Sequence, residues 1–357
     1  MQHASRVALV SLTVLLGSCY RPTYVDCAVT CGAANECPPR LTCDHGSCSR
    51  QLGTCASDAG AHAATDGSDG IGSDSSAVIG VYRPPGTAFN DTTSSQWLLR
   101  AHTSDGTPDI AFSYGSTGDI PVVGNWDGNI VPGCFTAGVF RPAGTPFNQT
   151  TGGQWLLRNS NSAGDPDVSF SYGAAGDVPV VGDWDGNGTT TVGVFRPAGT
   201  PFNQTTEGQW LLRNSNSAGD PEITFVHGAP GDVPVFADWD GDGITTIGVF
   251  RPSTGEWLLR NSNSAGNADI WFIYGAPDDI PVVGDWDENG TDTIGVFRPA
   301  GSQFNETTGD QWLLRNSNSG GDPDLTFSYG AAGDLPVVVL PHALADSFAR
   351  RLDGGHR

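Results

Sequence analysis

DVPVVGDWDGNGTTTVGVFR occupies residues 177–196 and contains the pattern that decides the fold. Two short runs of β-branched and aromatic residues flank an acidic loop with two glycines, which is typical of paired strands. A third run, WLLR, begins at Trp210, and a fourth lies around Phe225. None of the runs has the 3.6-residue period of an amphipathic helix. The unit therefore predicts four short strands and no helix.

The same unit recurs along the chain. The tag GV(F/Y)RP begins at Gly80, Gly138, Gly193, Gly248 and Gly295. WLLR begins at Trp97, Trp155, Trp210, Trp257 and Trp312. Four strands repeated about every 50 residues are typical of the blades of a β-propeller, because solenoid rungs are shorter and sandwiches do not repeat so evenly.

The two ends of the repeated region complement each other. The first copy begins at its GVYRP strand and lacks the strand that precedes this tag elsewhere. The last copy ends with such a strand, Asp334 to Val339. Pairing the two would close a ring and remove the open sheet edges. Residues 76–341 are therefore predicted to form an all-β, five-bladed propeller of four-stranded blades that the C-terminal strand closes.

The N-terminus has the features of an export signal. Arg6 precedes an apolar run, Val7 to Leu16, that is too short to span a bilayer. The following Leu-Gly-Ser-Cys resembles the lipobox of bacterial lipoproteins. This resemblance implies that residues 1–18 are removed and that Cys19 carries a lipid in the bacterial cell envelope, at the outer membrane or cell surface. An ordinary cleaved signal with a free Cys19 thiol is the alternative.

Residues 19–55 are rich in cysteine. An even number of cysteines in a small exported segment predicts a disulfide framework, and zinc binding is the alternative. The six cysteines concerned are Cys27, Cys31, Cys37, Cys43, Cys48 and Cys55. Residues 56–75 contain mainly Ala, Asp, Gly and Ser and are interpreted as a flexible linker, and residues 342–357 as a C-terminal tail.

Charge and motif content limit the possible functions. The chain carries 39 acidic and 17 basic residues, a net charge of −22. Such a surface repels nucleic acids and anionic lipid headgroups, so we expect no nucleic-acid partner and membrane contact only through the lipid anchor. The sequence has no Ser-His-Asp, Cys-His or HExxH arrangement. We therefore expect a protein that is not an enzyme.

The acidic loops follow the pattern D-x-D-x-(D/N)-G. Oxygen side chains at positions one, three and five, followed by a glycine turn, form the first half of an EF-hand-type Ca²⁺ loop. Positions one, three and five are Asp183, Asp185 and Asn187, then Asp238, Asp240 and Asp242, then Asp285, Asp287 and Asn289. Asx-type turns that hold a hairpin without metal are the alternative.

With its flanking strands, the acidic loop resembles the FG-GAP or VCBS-type repeats of bacterial surface proteins, relatives of the integrin α propeller. The resemblance covers roughly residues 76–340 and implies structural Ca²⁺ between the first two strands of a blade. It adds the carbonyl at position seven (Thr189, Ile244, Thr291) and the side chain at position nine (Thr191, Thr246, Thr293). Threonine replaces the family's aspartate at position nine, so we expect weak affinity, roughly 10⁻⁴ to 10⁻³ M.

The loops between the second and third strands are the predicted contact surface. One copy loses eight residues without disturbing the repeat, which places the loop at the surface. The residues proposed to contact a ligand are Phe147, Asn148, Phe202, Asn203, Phe304 and Asn305. We expect the WLLR tryptophans to be buried, and arginines such as Arg251 and Arg260 to pair with aspartates.

These features together predict a cell-surface lipoprotein. Its calcium-stabilised propeller would bind an unknown protein or glycan partner, or serve a structural role. A lectin with repeated sugar sites is the alternative, and a polysaccharide-acting enzyme on a propeller scaffold is less favoured.

Overall fold

The computed structural model describes residues 29–30, 42–44, 47–49, 78–128 and 135–339. The chain divides into two compact units, the first containing strands β1–β3 and the second strands β4–β23. The segments predicted to be a signal peptide, a linker and a C-terminal tail lie outside the described residues, as does Cys19. The predictions made for these segments remain predictions.

The first unit contains a small antiparallel sheet in the order β1-β3-β2. Its strands are β1 (Val29–Thr30), β2 (Thr42–Asp44) and β3 (Ser47–Ser49). Cys43 and Cys48 are directly opposite in the β2–β3 register. The other four cysteines of the predicted disulfide framework fall outside the part of the chain that is described.

The second unit contains five antiparallel four-stranded sheets, here called blades 1 to 5. Blade 1 contains β4 (Val78–Arg83), β5 (Gln96–Arg100) and β6 (Ile110–Ser113). Blade 2 contains β7 (Ile120–Gly124), β8 (Thr136–Arg141), β9 (Gly152–Leu157) and β10 (Val168–Ala174). Blade 3 contains β11 (Val178–Gly182), β12 (Thr191–Arg196), β13 (Gln209–Leu212) and β14 (Ile223–Val226). Blade 4 contains β15 (Val233–Ala237), β16 (Thr246–Arg251), β17 (Glu256–Leu259) and β18 (Ile270–Ile273). Blade 5 contains β19 (Ile280–Gly284), β20 (Thr293–Arg298), β21 (Gly309–Leu314) and β22 (Leu325–Ala331). The last strand, β23 (Leu335–Val339), completes blade 1.

The first strands of neighbouring blades contact one another and form the inner ring of the propeller. β23 lies next to both β19 and β7, so the ring is closed. Its register against β4 runs from Leu335 opposite Tyr82 to Val339 opposite Val78. The five-bladed propeller predicted from the sequence is therefore confirmed. A proline in each inner strand, such as Pro179, is compatible with this position because an inner strand has a ladder on one side only.

The WLLR tryptophans form the centre of the blades, and each has no exposed surface. In blade 2, the Trp155 ring stacks on Phe170 at a centroid distance of 6.4 Å and meets the edge of Phe140 at 5.0 Å. Its indole N–H donates to the Tyr172 carbonyl at 3.0 Å. The other four blades repeat this arrangement, which confirms that the tryptophans are buried. Offset-stacked and edge-on rings add favourable energy to that of apolar burial.

An ion pair between an arginine and a buried aspartate joins the first and second strands of every blade. The arginine Nε lies 2.7 or 2.8 Å from an aspartate Oδ1, and the second guanidinium nitrogen donates to the other carboxylate oxygen. The pairs are Arg83–Asp334, Arg141–Asp119, Arg196–Asp177, Arg251–Asp232 and Arg298–Asp279. These two-point contacts satisfy the buried carboxylates. The expected partner of Arg251 is confirmed.

The second set of arginines has a different role. Arg260 donates to the Asn267 carbonyl and to the hydroxyls of Ser262 and Ser264, so it holds the loop between the third and fourth strands. The expectation that Arg260 pairs with an aspartate was wrong. The loop provides a carbonyl and two hydroxyls, which satisfy guanidinium donors without a second buried charge.

Tyrosine hydroxyls link neighbouring blades. The hydroxyl groups of Tyr172 and Tyr274 donate to the carbonyls of Leu211 and Leu313 in the next blade, at 3.2 and 3.1 Å. Tyr329 donates in the same way to Leu98, across the closure between blades 5 and 1. The final interface therefore has the same contact as the interfaces between blades 2 and 3 and between blades 4 and 5.

Asp310 is an exception to the repeated core. Its counterparts Gly153 and Gly208 leave no room for a Cβ atom, which would lie 2.2 Å from a phenylalanine ring. In blade 5, Phe297 is turned to 82° from Trp312, against 61° for the corresponding rings of blade 2. Asp310 has no exposed surface, and burial raises its pKa from 3.8 to about 6.

Removing strand β23 should abolish the closed ring. We expect a chain that ends at Gly333 to lose cooperative thermal unfolding, because β4 and the inner faces of blades 5 and 2 lose their partner strand. A chain that ends at Pro341 keeps the strand and serves as the control. Calorimetry of both would contradict the closure if the shorter chain melted like the control.

The Asp310 carboxylate should make stability depend on pH. Because its folded-state pKa lies above the ordinary value, the charged form destabilises the fold above about pH 6, and the penalty disappears as the pH falls towards 4. As the pH falls from about 6 towards 4, we expect the free energy of unfolding of the wild type to rise relative to that of Asp310→Asn, by on the order of 1 kcal/mol. Paired thermal melts between pH 4 and 8 measure the effect. A difference that did not change with pH would contradict it.

Candidate functional site

The two ends of the propeller carry different loops because successive strands in each blade are antiparallel. One end, here called the acidic face, carries the loops that join the first to the second strand and the third to the fourth. The other end, here called the aromatic face, carries the loops that join the second to the third strand and each blade to the next. The order and antiparallel pairing of the strands determine this sorting of the loops.

The Asp238 loop brings its three predicted carboxylates together on the acidic face. One oxygen from each of Asp238, Asp240 and Asp242 lies within 4.8 Å of the others. Asp238 is buried and accepts the backbone N–H groups of Gly241 and Gly243 at 2.8 Å, whereas Asp240 and Asp242 are exposed. This arrangement of oxygens is of the type that a hard cation prefers.

The other two acidic loops have the same backbone turn. Asp183 accepts the N–H groups of Asn187 and Gly188 at 2.9 and 2.7 Å, and Asp285 accepts those of Asn289 and Gly290 at 3.0 and 2.8 Å. Burial raises the pKa of Asp183 and that of Asp285 above the ordinary range. A nearby cation would relieve this penalty by favouring the charged form.

The residues at position nine belong to the sheet. Thr191, Thr246 and Thr293 are the first residues of the second strands and are buried. Each hydroxyl donates to the last carbonyl of the preceding strand, at 3.2 or 3.3 Å. The family resemblance implies that these three side chains are Ca²⁺ ligands, but in the structure their hydroxyls bond to the backbone of the neighbouring strand.

Position eight of each acidic loop has a role that the sequence analysis missed. The Asp238 backbone N–H donates to the Asp292 carboxylate at 2.9 Å, and the Asp292 N–H donates back to the Asp238 carbonyl. Thr245 makes the same two contacts with Asp183 in the preceding blade. These bonds join each loop to its neighbour. The hydroxyl or carboxylate that recurs at position eight was the sequence feature that could have indicated this contact.

The aromatic face presents four equivalent phenylalanines. Their rings are 46–54% exposed, and each lies 5.5–5.8 Å from the guanidinium carbon of the arginine in its blade's ion pair. The four are Phe89, Phe147, Phe202 and Phe304. Three of them were predicted as contact residues, and Phe89 was missed although its loop, PPGTAFNDTT, has the same pattern.

The predicted contact asparagines serve the loop itself. Asn148 is buried, its amide nitrogen donates to the carbonyls of Arg141 and Gly152, and its oxygen accepts from Thr150. Asn203 and Asn305 make the same contacts in blades 3 and 5. With these groups committed, the asparagines fix the loop shape, and the phenylalanine rings are what the loop exposes.

No protein-family model matches the sequence, and no curated protein matches it. Solved structures similar to the chain include AofleA from Arthrobotrys oligospora, at 9% identity and a TM-score of 0.38 over 75% of this chain and 72% of that chain. A triple arginine-to-alanine mutant of AofleA gives the same identity and TM-score over 74% and 72%. Similarity at this level concerns the fold alone. Among the described residues, no helix is long and apolar enough to cross a membrane.

Proposed function

We propose that the protein is a binding module of the bacterial cell surface whose partner, a protein or a glycan, contacts the aromatic face. The observation that carries the proposal is the set of four exposed phenylalanine rings, each held over a paired arginine by an asparagine-clamped loop. Exposed aromatic rings that are fixed before binding lose little conformational entropy on contact. Four similar sites on one face suit a partner with repeated epitopes, because linked sites increase avidity.

The binding proposal is supported by how the other repeated polar groups are used. The ion-pair aspartates, the clamp asparagines and four of the five WLLR arginines are buried, and they bond within the propeller. The side chain that each of the four phenylalanine-bearing loops exposes to a partner is therefore mainly its phenylalanine ring. The lipid anchor at Cys19 and the location in the envelope belong to the same proposal and rest on the lipobox resemblance.

Calcium is the proposed stabiliser of the acidic face. The Asp238 loop supports it best, because three carboxylates converge there and backbone N–H groups of the loop hold the buried Asp238 in place. A bound cation would offset the mutual repulsion of these groups and stiffen the loop-to-loop contacts. The ion would have a structural role.

Alanine at the exposed rings should remove binding without unfolding the propeller. We expect the quadruple change of Phe89, Phe147, Phe202 and Phe304 to alanine to lose avidity by at least about 100-fold, because every site on the face is altered. A glycan array and a panel of extracellular proteins, each with and without EDTA, provide the partners. Ser169→Ala, on an outer strand, is the control. Undiminished binding of every partner by the quadruple variant would refute the proposal.

Calcium should raise the melting temperature, with a midpoint of roughly 10⁻⁴ to 10⁻³ M. We expect Asp240→Asn to melt like the wild type in EDTA, since Asp240 is exposed, and to lose much of the increase that Ca²⁺ gives. Asp127→Asn is the matched control, because its loop in blade 2 has Asn125 in place of the first aspartate, and we expect that loop to lack metal. Mg²⁺ at the same concentration tests selectivity. A wild-type melting temperature that Ca²⁺ left unchanged would rule out the ion.

A further inference from the structure

Blade 4 departs from the other four blades at its outer edge. Trp271 and Ile273, on the outer strand β18, are 59% and 54% exposed. The corresponding pairs elsewhere are small or less apolar: Ala111 and Ser113, Ser169 and Ser171, Thr224 and Val226, Thr326 and Ser328. The nine other tryptophans are at most 5% exposed. A repeat that keeps its tryptophans buried therefore exposes one of them at a single place.

A second departure lies beside the first. Glu256 replaces the glutamine that precedes the WLLR tryptophan in the other blades. Its Oε2 accepts from Arg251 at 2.9 Å and from Thr254 at 2.8 Å, and its Oε1 accepts the indole N–H of Trp271 at 3.3 Å. Arg251 is in turn bonded to the buried Asp232. The exposed indole is thus tied to the sheet through a continuous polar chain.

The shortened loop of blade 4 uncovers this site. In the other blades a phenylalanine lies over the paired arginine, whose side chain is 16–17% exposed. Blade 4 has a short turn instead, and Arg251 is 29% exposed. The register places Arg251 opposite Glu256, and Leu258 opposite Trp271. Since opposite residues share one side of a sheet, these side chains form one continuous surface.

Residues equivalent to part of this surface line grooves between other blades. Between blades 5 and 1 the groove has a volume of about 330 Å³ and is lined by Val81, Arg83 and Leu98, among others. The equivalent groove between blades 1 and 2 measures about 530 Å³. Val249, Arg251 and Leu258 are the corresponding residues of blade 4, and Val249 packs against blade 3. Blade 3 also departs from the repeat here, with His227 in the place of tyrosine.

We propose that Trp271, Glu256 and Arg251 form a sugar-binding site for a neutral pyranose residue of a glycan. The apolar face of one pyranose ring matches the area of one indole, whereas a stable protein interface needs roughly 800 Å² from each partner. The Glu256 carboxylate retains acceptor capacity for a sugar hydroxyl, and Arg251 provides donors. The carboxylate and the net charge of −22 disfavour anionic sugars and a second copy of the chain. This inference deepens the proposed binding function but uses residues outside the four aromatic loops.

Two substitutions test the site by installing residues that the other blades already carry. Trp271→Thr reproduces Thr224 and Thr326, and Glu256→Gln reproduces Gln209 and Gln311, so both variants are expected to fold. Methyl glycosides of glucose, galactose, mannose, fucose and N-acetylglucosamine are the probes, with galacturonic acid as the anionic comparison. Thr326→Ala is the matched control in blade 5. Calorimetry measures binding by each protein.

Acrylamide quenching adds an independent readout, because Trp271 is the one exposed tryptophan among the ten, all of which are described. We expect at least one neutral glycoside to protect Trp271, Glu256→Gln to bind it roughly tenfold more weakly, Trp271→Thr to lose it, and Thr326→Ala to bind normally. The inference would be overturned if no neutral glycoside protected Trp271, or if both variants bound the glycosides as tightly as the wild type does. Tighter binding of galacturonic acid than of the neutral glycosides would also overturn it. The quadruple phenylalanine variant should retain this sugar, so failure of the two proposals can be told apart.

Discussion

Pairing of β23 with β4 is the contact on which the rest of the propeller depends. Each blade packs its tryptophan layer against the next blade, and the stack has no free end because the last strand of the chain completes the first blade. The Arg83–Asp334 pair and the Tyr329 hydroxyl bond span the same junction. The closing blade thus uses the contacts of the internal blades, which is why five nearly identical units form a closed ring rather than an open array with exposed strand edges.

Repetition assigns most polar side chains to the scaffold. An arginine or asparagine that occurs at the same position of several blades satisfies a neighbouring carbonyl or carboxylate that also recurs. Buried polar groups need such partners, since an unsatisfied group costs free energy. Functional groups are therefore to be sought among side chains that the scaffold does not use. The exposed phenylalanines meet this criterion, and Trp271 meets it at a place where the repeat itself is broken.

The sequence was sufficient for the architecture because strand number, loop position and the missing first strand can all be read from the tags. It was less informative about individual side chains. Asn148 looks like an ordinary surface-loop residue until the hairpin brings the carbonyls of Arg141 and Gly152 to its amide. Thr246 aligns with a ligand position, but the strand already begins there. Arg260 and Arg251 look equivalent in sequence, and only the fold distinguishes a loop of carbonyls from a buried aspartate. Trp271 could have been found by comparing the outer strands of the five units.

Closure by the last strand also determines how the propeller would respond to mechanical load. Because Val78 and Val339 are register partners, the described chain enters and leaves the propeller at one point. A force applied through the N-terminal segment would reach β4 first, and β4 is hydrogen-bonded on both sides, to β23 and to β5. Pulling out this strand requires two ladders to break together, whereas an outer strand such as β6 is held by one. A tether at this end therefore pulls on a doubly held strand of the ring.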